Sequence, residues 1–197
     1  LGHEFAGEVV KVGKSVKGFA IGDRVAAETH IPCGYCQACR TGNQHICGNH
    51  MGVLGRTVNG CFAEYISMSA GSVLKIADTL TYEQGSLMEP FATAMHAVTK
   101  AAPYGQPIAI LGVGTIGQMA VEIAKCMGAT QIFAVDISDQ KLEETKARGA
   151  DFVINGMKED FTEVVLRETG GVGVYSVIDF TGSPRVINQA VRSLRIA

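Results

Sequence analysis

The sequence has no hydrophobic run long enough to cross a membrane. Its longest apolar stretch, Ile108 to Val121, is interrupted by Thr115 and Gln118 and stops at Glu122, whereas a spanning helix needs roughly 20 apolar residues. Basic charge is not in excess either: 17 Lys and Arg stand against 19 Asp and Glu, for a net charge of -2. Without a basic surface to neutralise phosphates, no nucleic-acid partner is expected. The first residues, LGHEFAGEVV, lack an initiating Met, a basic flank and an apolar signal core, and they read as interior sequence rather than as a targeting signal. The expectation is therefore a piece of a longer, cytoplasmic chain. There is no internal repeat and no low-complexity segment. What the chain does have is 47% hydrophobic residues, enough for a packed core.

The texture changes along the chain. Up to about residue 88, short runs such as GEVVKVG, GDRVAAE and FAEYISMS are punctuated by Gly, which predicts small strands and turns of a compact β barrel. Glu89 and Pro90 then open FATAMHAVTKAA, a linking helix to about residue 103 with Pro90 in its first turn. From residue 107 strands alternate with helices: IAILGV, a helix from Ile116 to Met127, QIFAVD, a charged helix in SDQKLEETKARG, DFVIN, a helix near 160–168, and VYSVIDF. Such alternation predicts a parallel sheet with crossover helices. It reaches four strands, short of a complete doubly wound sheet. The expected class is α/β, divided at 1–92 and 93–197, with a cysteine lobe at 28–50.

Four of the six cysteines fall in that lobe, at Cys33, Cys36, Cys39 and Cys47. The spacing C-x2-C-x2-C-x7-C lets short turns aim four sulfurs at one point, about 2.3 Å from a tetrahedral zinc. Four thiolates leave no open position, so such a metal is structural rather than catalytic. An iron–sulfur cluster is the rival, since C-x2-C-x2-C also begins the bacterial ferredoxin run; here Gly48, not Pro, follows the fourth cysteine. Disulfides are a weaker reading for a chain with no sign of secretion. Cys61 and Cys126 are expected as buried small hydrophobes, and His96 as a packed helix residue.

A second metal-binding pattern begins at His3 and Glu4, adjacent nitrogen and oxygen donors among Gly2, Gly7 and Gly13. Read alone, the pair is a common surface feature. Glu89 adds a carboxylate, although a helix start gives it the plainer role of complementing the helix dipole. One His and two carboxylates suit an open site, for which a softer donor would also be expected.

The third pattern is ILGVGTIGQMAVEIAKCMGATQIFAVDIS. Gly112, Gly114 and Gly117 form G-x-G-x-x-G between an apolar strand and a helix, with Asp136 at the end of the next strand. In that context Gly112 makes the turn, Gly114 leaves room beside a pyrophosphate, Gly117 packs helix on strand, and Asp136 accepts from a ribose diol. Asp136 would repel a 2'-phosphate, and Ile137 and Ser138 supply no Arg to receive one. NAD is expected over NADP.

Together these pieces resemble the zinc-dependent medium-chain dehydrogenases, relatives of alcohol and sorbitol dehydrogenases. The family signature G-H-E-x2-G-x5-G-x2-V is met by Gly2, His3, Glu4, Gly7, Gly13 and Val16. AETHIPCGYCQACRTGNQHIC and GCFAEY are most like the L-threonine 3-dehydrogenase branch, while MEPFATAMHAV and DISDQKL are also similar to polyol and sugar-alcohol members. The resemblance implies a partial GroES-like β-barrel catalytic domain followed by a partial Rossmann doubly wound parallel sheet. It implies His3 and Glu4 as ligands of a catalytic zinc, and Cys33, Cys36, Cys39 and Cys47 as ligands of a structural zinc. Catalytic roles fall to Glu89, which assists a proton relay or exchanges onto the metal, and to His30, at the substrate mouth. Ile116 and Lys141 join Gly112, Gly114, Gly117 and Asp136 at the NAD; threonine dehydrogenases often carry Arg where Lys141 stands. The family's catalytic Cys and its relay Thr and His lie upstream of the GHE motif, so the chain is expected to be truncated at both ends and inactive by itself. The implied reaction takes a hydride from a small secondary alcohol to NAD, in a homo-oligomer, a tetramer by resemblance. Threonine would give 2-amino-3-oxobutanoate and a polyol would give a ketose. A metal-stabilised nucleotide-binding module without catalysis is the reading of another class.

Overall fold

The structure, a computed structural model, describes residues 1–196. Two compact units divide the chain, Leu1–Glu89 and Pro90–Ala197. Among the described residues no helix is long and apolar enough to cross a membrane.

In the first unit, β1 (Ala6–Glu8), β2 (Arg24–Ala27) and β5 (Val73–Lys75) form an antiparallel sheet in the order β1-β2-β5. Ala6 stands opposite Ala26, and Ala26 opposite Leu74. The interior residues of β2, Val25 to Ala27, are buried, as expected of a central strand with neighbours on both edges. Two shorter strands, β3 (His30–Ile31) and β4 (Gly52–Val53), pair antiparallel. Between them α1 (Gln37–Arg40) carries part of the cysteine lobe. Arg24 fastens β2 to the following segment: its guanidinium donates to the carbonyls of Ala77, Asp78 and Leu80 and stacks 4.5 Å from the Tyr82 ring centroid. A capping box of Thr81 and Gln84 opens α2 (Tyr82–Ser86), satisfying two backbone donors at its start.

The expected strands are only partly realised here. GEVVKVG is extended and paired from Gly7 to Val9, where Val9 N–H donates to Asp23 O, but it leaves the sheet before Val12. FAEYISMS is irregular, with Phe62 81% and Tyr65 73% exposed. The β propensity of Phe, Tyr and Ile depends on cross-strand neighbours, and this stretch forms no ladder.

The linking helix is α3 (Met88–Ala101), close to the span expected from Glu89 and Pro90. Ala94 and Val98 on it are fully buried in the core of the second unit. His96 is exposed rather than buried, because the helix buries one stripe and His96 lies off it.

The second unit is a four-stranded parallel sheet, ordered β8 (Phe152–Asn155), β7 (Gln131–Asp136), β6 (Pro107–Leu111), β9 (Ser176–Asp179). Ile108, Ala109, Ile110 and Leu111 are all fully buried, the continuous apolar run required of a strand covered on both faces. One face packs against Val98, Val121 and Ala124, the last two on α4 (Thr115–Cys126). The other packs against Phe161 and Val165 of α6 (Phe161–Glu168). Phe133 of β7 stacks on Phe152 of β8 at 4.7 Å. α5 (Asp139–Ala147) joins β7 to β8. Cys126, expected inside, is exposed, since it ends α4 after the buried stripe has passed. Past the last expected strand, α7 (Pro184–Ser193) forms with Pro184 at its start; its apolar residues Val186, Ile187, Ala190 and Val191 recur at helical spacing, and it buries Ala190 and Ser193 with Val186 packed beside them.

Candidate functional site

The cysteine lobe brings its four sulfurs together by local turns. Cys33 follows β3, Cys36 precedes α1, Cys39 lies within it, and Cys47 closes a 3-10 turn at Gln44–Ile46. Gly34, between the first pair, holds a φ of 81°, a conformation that costs Gly nothing. Sγ separations are 3.5 Å for Cys36–Cys39, 3.6 Å for Cys33–Cys47, 3.7 Å for Cys36–Cys47 and 3.9 Å for Cys33–Cys39. Four sulfurs about 2.3 Å from one zinc would be about 3.8 Å apart along the edges of a tetrahedron. All six cysteines are free thiols, so the disulfide reading fails. In a four-iron cluster each thiolate would bind a different iron rather than converge on one ion.

The lobe is also prepared electrostatically. Burial opposes ionisation of Cys33, but the backbone N–H groups of Tyr35 and Cys36, then the thiols of Cys47 and Cys36, outweigh it and bring its pKa down to about 6. Burial pushes Cys39 up to about 12, against a backbone hydrogen bond from Gly34. Four thiols so close cannot all ionise unaided, and a shared cation is what would make them thiolates together.

The second cluster joins His3, Glu4 and Glu89, whose donor atoms lie within 4.8 Å of one another. His3 Nε2 is 3.9 Å from Glu4 Oε1, both side chains about half exposed. Burial raises the affinity of Glu89 for a proton; His3 opposes this, the negative charge of Glu4 adds to it, and His30 opposes it. The segment before His3 is held by close backbone approach. Cys61 N–H donates to Gly2 O, and a Cβ on Gly55 or on Gly60 would stand 2.3 Å from that oxygen. Cys61 is only partly buried, with its sulfur against Glu4 O; it packs the root of the donor segment instead of a core. His30 lies outside the donor set, half-buried, 3.5 Å from Thr29 Oγ1 and edge-on to His50 with centroids 6.2 Å apart. One imidazole and two carboxylates fit a zinc with room for a further ligand.

In the second unit a cavity of about 760 Å³ opens at the C-terminal ends of the strands. Gly112, Gly114, Ile116, Gly117, Asp136 and Lys141, the residues expected at the cofactor, all line it. Each glycine has its own reason. Gly112 has a φ of 84°, Gly117 would put a Cβ 2.0 Å from Gly112 O, and a Cβ on Gly114 would meet nothing within 4 Å. Gly114 precedes α4 with no side-chain cap, which leaves the first N–H groups of that helix available to an anion. Asp136 accepts from Val113 N at 2.9 Å on Oδ2, and from Ile137 N at 2.8 Å and Ser138 N at 3.0 Å on Oδ1. It thus ties the glycine turn to the end of β7 while keeping lone pairs for a ligand.

Thr181, Ser183, Arg185 and Gln189 line the same cavity and were not expected there. The loop after β9 that carries the first two is shaped by Asp179, which accepts from Thr181 N, Thr181 Oγ1 and Gly182 N at 2.9, 2.6 and 3.1 Å. TGSP reads as a turn, yet it has no glycine fingerprint to mark it as a cavity wall. The only available signal was position: in a parallel sheet, loops at the carboxyl ends of adjacent strands share one crevice.

Known proteins resemble this chain in sequence and in fold. Residues 1–78 match the alcohol dehydrogenase GroES-like domain family, and residues 115–197 match the zinc-binding dehydrogenase family. An L-threonine 3-dehydrogenase of Caldanaerobacter subterraneus subsp. tengcongensis is 42% identical over 191 residues, which are 97% of this chain and 55% of that protein. A sorbitol dehydrogenase of Bacillus subtilis is 40% identical over 197 residues, 99% of this chain and 56% of that protein. A solved zinc-binding dehydrogenase from Sinorhizobium meliloti, bound to NADP, superposes with a TM-score of 0.91 at 31% identity, covering 99% of this chain and 58% of that one. The chain spans about half the length of the curated relatives it matches.

Proposed function

Because this chain belongs to the zinc-dependent medium-chain alcohol dehydrogenase family, we propose that the full-length protein oxidises the secondary alcohol of L-threonine with NAD. The observation that carries this reading is a cavity lined by the complete glycine fingerprint and Asp136, in a chain that also holds two clusters of metal-ready donors. A zinc held by His3 and Glu4 would polarise the substrate hydroxyl and lower its pKa. Glu89, whose burial favours the protonated form, is placed to exchange onto that ion or to hold a proton leaving the substrate. Cys33, Cys36, Cys39 and Cys47 would hold a second, structural zinc. The full-length protein is proposed to work as a cytoplasmic homo-oligomer.

Asp136 supports NAD as the cofactor: its carboxylate lines the cavity and would repel a 2'-phosphate. Threonine is favoured over a polyol by ETHIPCG and GCFAEY, although the sorbitol dehydrogenase relative is nearly as similar. A substrate panel on the full-length protein decides the matter. NADH formation should be fastest with L-threonine and slower with sorbitol and galactitol 1-phosphate, and NADPH formation from L-threonine with NADP should be slower than NADH formation with NAD. Faster turnover of a polyol would replace threonine as the substrate. Tight NAD binding without turnover of any alcohol would favour the non-catalytic module.

His30 is assigned to the substrate side of this site. His30→Ala should lower kcat/KM for threonine by about 100-fold or more, the lower end of the range for a group that exchanges protons with the reacting alcohol. Zinc content and NAD affinity should stay near those of the unmutated protein. Unchanged kinetics would return His30 to an ordinary loop position beside Thr29.

A further inference from the structure

Asn155 ends β8 directly opposite Asp136 of β7 and is buried, with 8% of its surface exposed. A buried carboxamide must find partners for both of its ends, and here both are engaged. Nδ2 donates to Ile137 O at 3.2 Å and to Asp139 Oδ1 at 2.7 Å, while Oδ1 accepts from Met157 N at 3.0 Å. The reverse orientation of the amide would set Oδ1 against a carbonyl and a carboxylate, so the hydrogen bonds define which end is which. The bond to Asp139 is charge-assisted, and the other oxygen of that carboxylate is held by Lys158 Nζ at 2.7 Å.

The consequence lies in one peptide plane. The carbonyl of Ile137 that accepts from Asn155 belongs to the same peptide unit as the N–H of Ser138, and that N–H donates to Asp136 Oδ1 at 3.0 Å. A peptide unit is rigid, so fixing its carbonyl fixes the direction of its N–H. Released from Asn155, the Ile137–Ser138 peptide could rotate and withdraw its hydrogen bond from the carboxylate. The same carboxamide also pins Met157, which shares the cavity wall with Ile137 and Asp136. Nothing in the glycine fingerprint requires an Asn at this position.

We propose that Asn155 is a positioning residue for the dinucleotide: through the Ile137–Ser138 peptide it aims the Asp136 carboxylate at the ribose diol, and so sets the preference for a cofactor without a 2'-phosphate. The proposal rests on the reading of the cavity as a dinucleotide site, and the experiment separates the two. In the full-length protein, Asn155→Ala and Asn155→Asp are compared with the unmutated protein for binding of adenosine 5'-phosphate, of nicotinamide mononucleotide and of NAD. The ratio of kcat/KM with NAD to that with NADP is measured alongside. Asn155→Asp keeps the shape and the acceptor for Met157 but loses the donors, which makes it the informative variant if Asn155→Ala fails to fold.

The expected result is roughly a 10-fold loss of affinity for adenosine 5'-phosphate and for NAD, the scale of one orienting hydrogen bond to a charged group. The ratio of NAD to NADP should fall by a similar factor, and nicotinamide mononucleotide should bind as before. A purely structural role would weaken both half-ligands equally or leave the ratio untouched, and either outcome overturns the proposal. If the unmutated protein binds neither NAD nor adenosine 5'-phosphate, the cavity reading itself falls and the proposal falls with it.

Discussion

Cys39→Ser should remove about one zinc per chain and unfold the lobe between Cys33 and Cys47. Cys39 is buried, 7% exposed, and burial, together with the neighbouring thiols of Cys36, Cys47 and Cys33, pushes its pKa to about 12 against a backbone hydrogen bond from Gly34. Without a cation it would therefore remain a neutral thiol at pH 7, so its place as a fourth thiolate depends on the metal. A serine hydroxyl is a harder and less acidic donor and does not replace a thiolate on zinc. The lobe has little else to hold it. Cys39 and Cys47 are its buried side chains, while Tyr35 and Ile46 are 71% and 65% exposed. Structural zinc sites in peptides contribute roughly 10 to 16 kcal/mol of apparent binding free energy, far more than the burial of two cysteines supplies. Metal analysis should show the loss directly, and limited proteolysis should cut the loop between Cys33 and Cys47 in the variant but not in the unmutated protein. Unaltered zinc content in Cys39→Ser would show that the four sulfurs do not share an ion.

That lobe was legible because its chemistry is local. Thiols three or eight residues apart can only meet through short turns, so spacing alone predicts convergence. The glycine fingerprint was legible for a similar reason: strand, turn and helix are consecutive, and Gly112 and Gly117 answer steric demands of that junction while Gly114 leaves open space beside it. The run IAILGV announced a strand of a parallel sheet, and the structure buries Ile108 to Leu111 fully. Long-range relations were less legible. Glu89 could be set beside His3 and Glu4 only by donor chemistry and by resemblance to a family, because nothing in a helix-opening Glu-Pro specifies a distant histidine. Asn155 went unnoticed because its role depends on register between β7 and β8 and on one peptide orientation. FAEYISMS was misread for the opposite reason: its propensity was visible, but the absence of a pairing neighbour was not. In α7 the apolar pairs Val186–Ile187 and Ala190–Val191 do carry a helical period, with Val186 and Ala190 packed on the core; the strand–helix alternation followed in the sequence ended at VYSVIDF, short of that stretch.

The glycine junction yields the sharpest separation of fold from function, because two of its members should fail in different ways. A Cβ on Gly117 would lie 2.0 Å from Gly112 O and 2.9 Å from Gly112 C. Those are backbone atoms of a turn already fixed by the bond from Gly112 N to Val135 O, so the clash cannot be relieved by a side-chain rotation. Gly117→Ala should destabilise the nucleotide-binding unit by about 1 to 3 kcal/mol, the usual cost of overpacking, and lower its Tm by roughly 4 to 8 °C per kcal/mol. Gly114 differs. Its φ is -70°, which any L residue adopts, and an added Cβ would meet nothing within 4 Å. Gly114→Ala should leave the Tm nearly unchanged, within the roughly 0.5 kcal/mol typical of a surface substitution. The open space beside Gly114 is where a pyrophosphate would approach the N-terminus of α4, and a methyl group there should weaken NAD by about 10-fold or more. Thermal melting and NAD titration of both variants, made in the full-length protein, test this together. A Gly114→Ala protein that melts normally and binds NAD as tightly as the unmutated one would mean that no phosphate passes that turn, and the cavity would need another ligand.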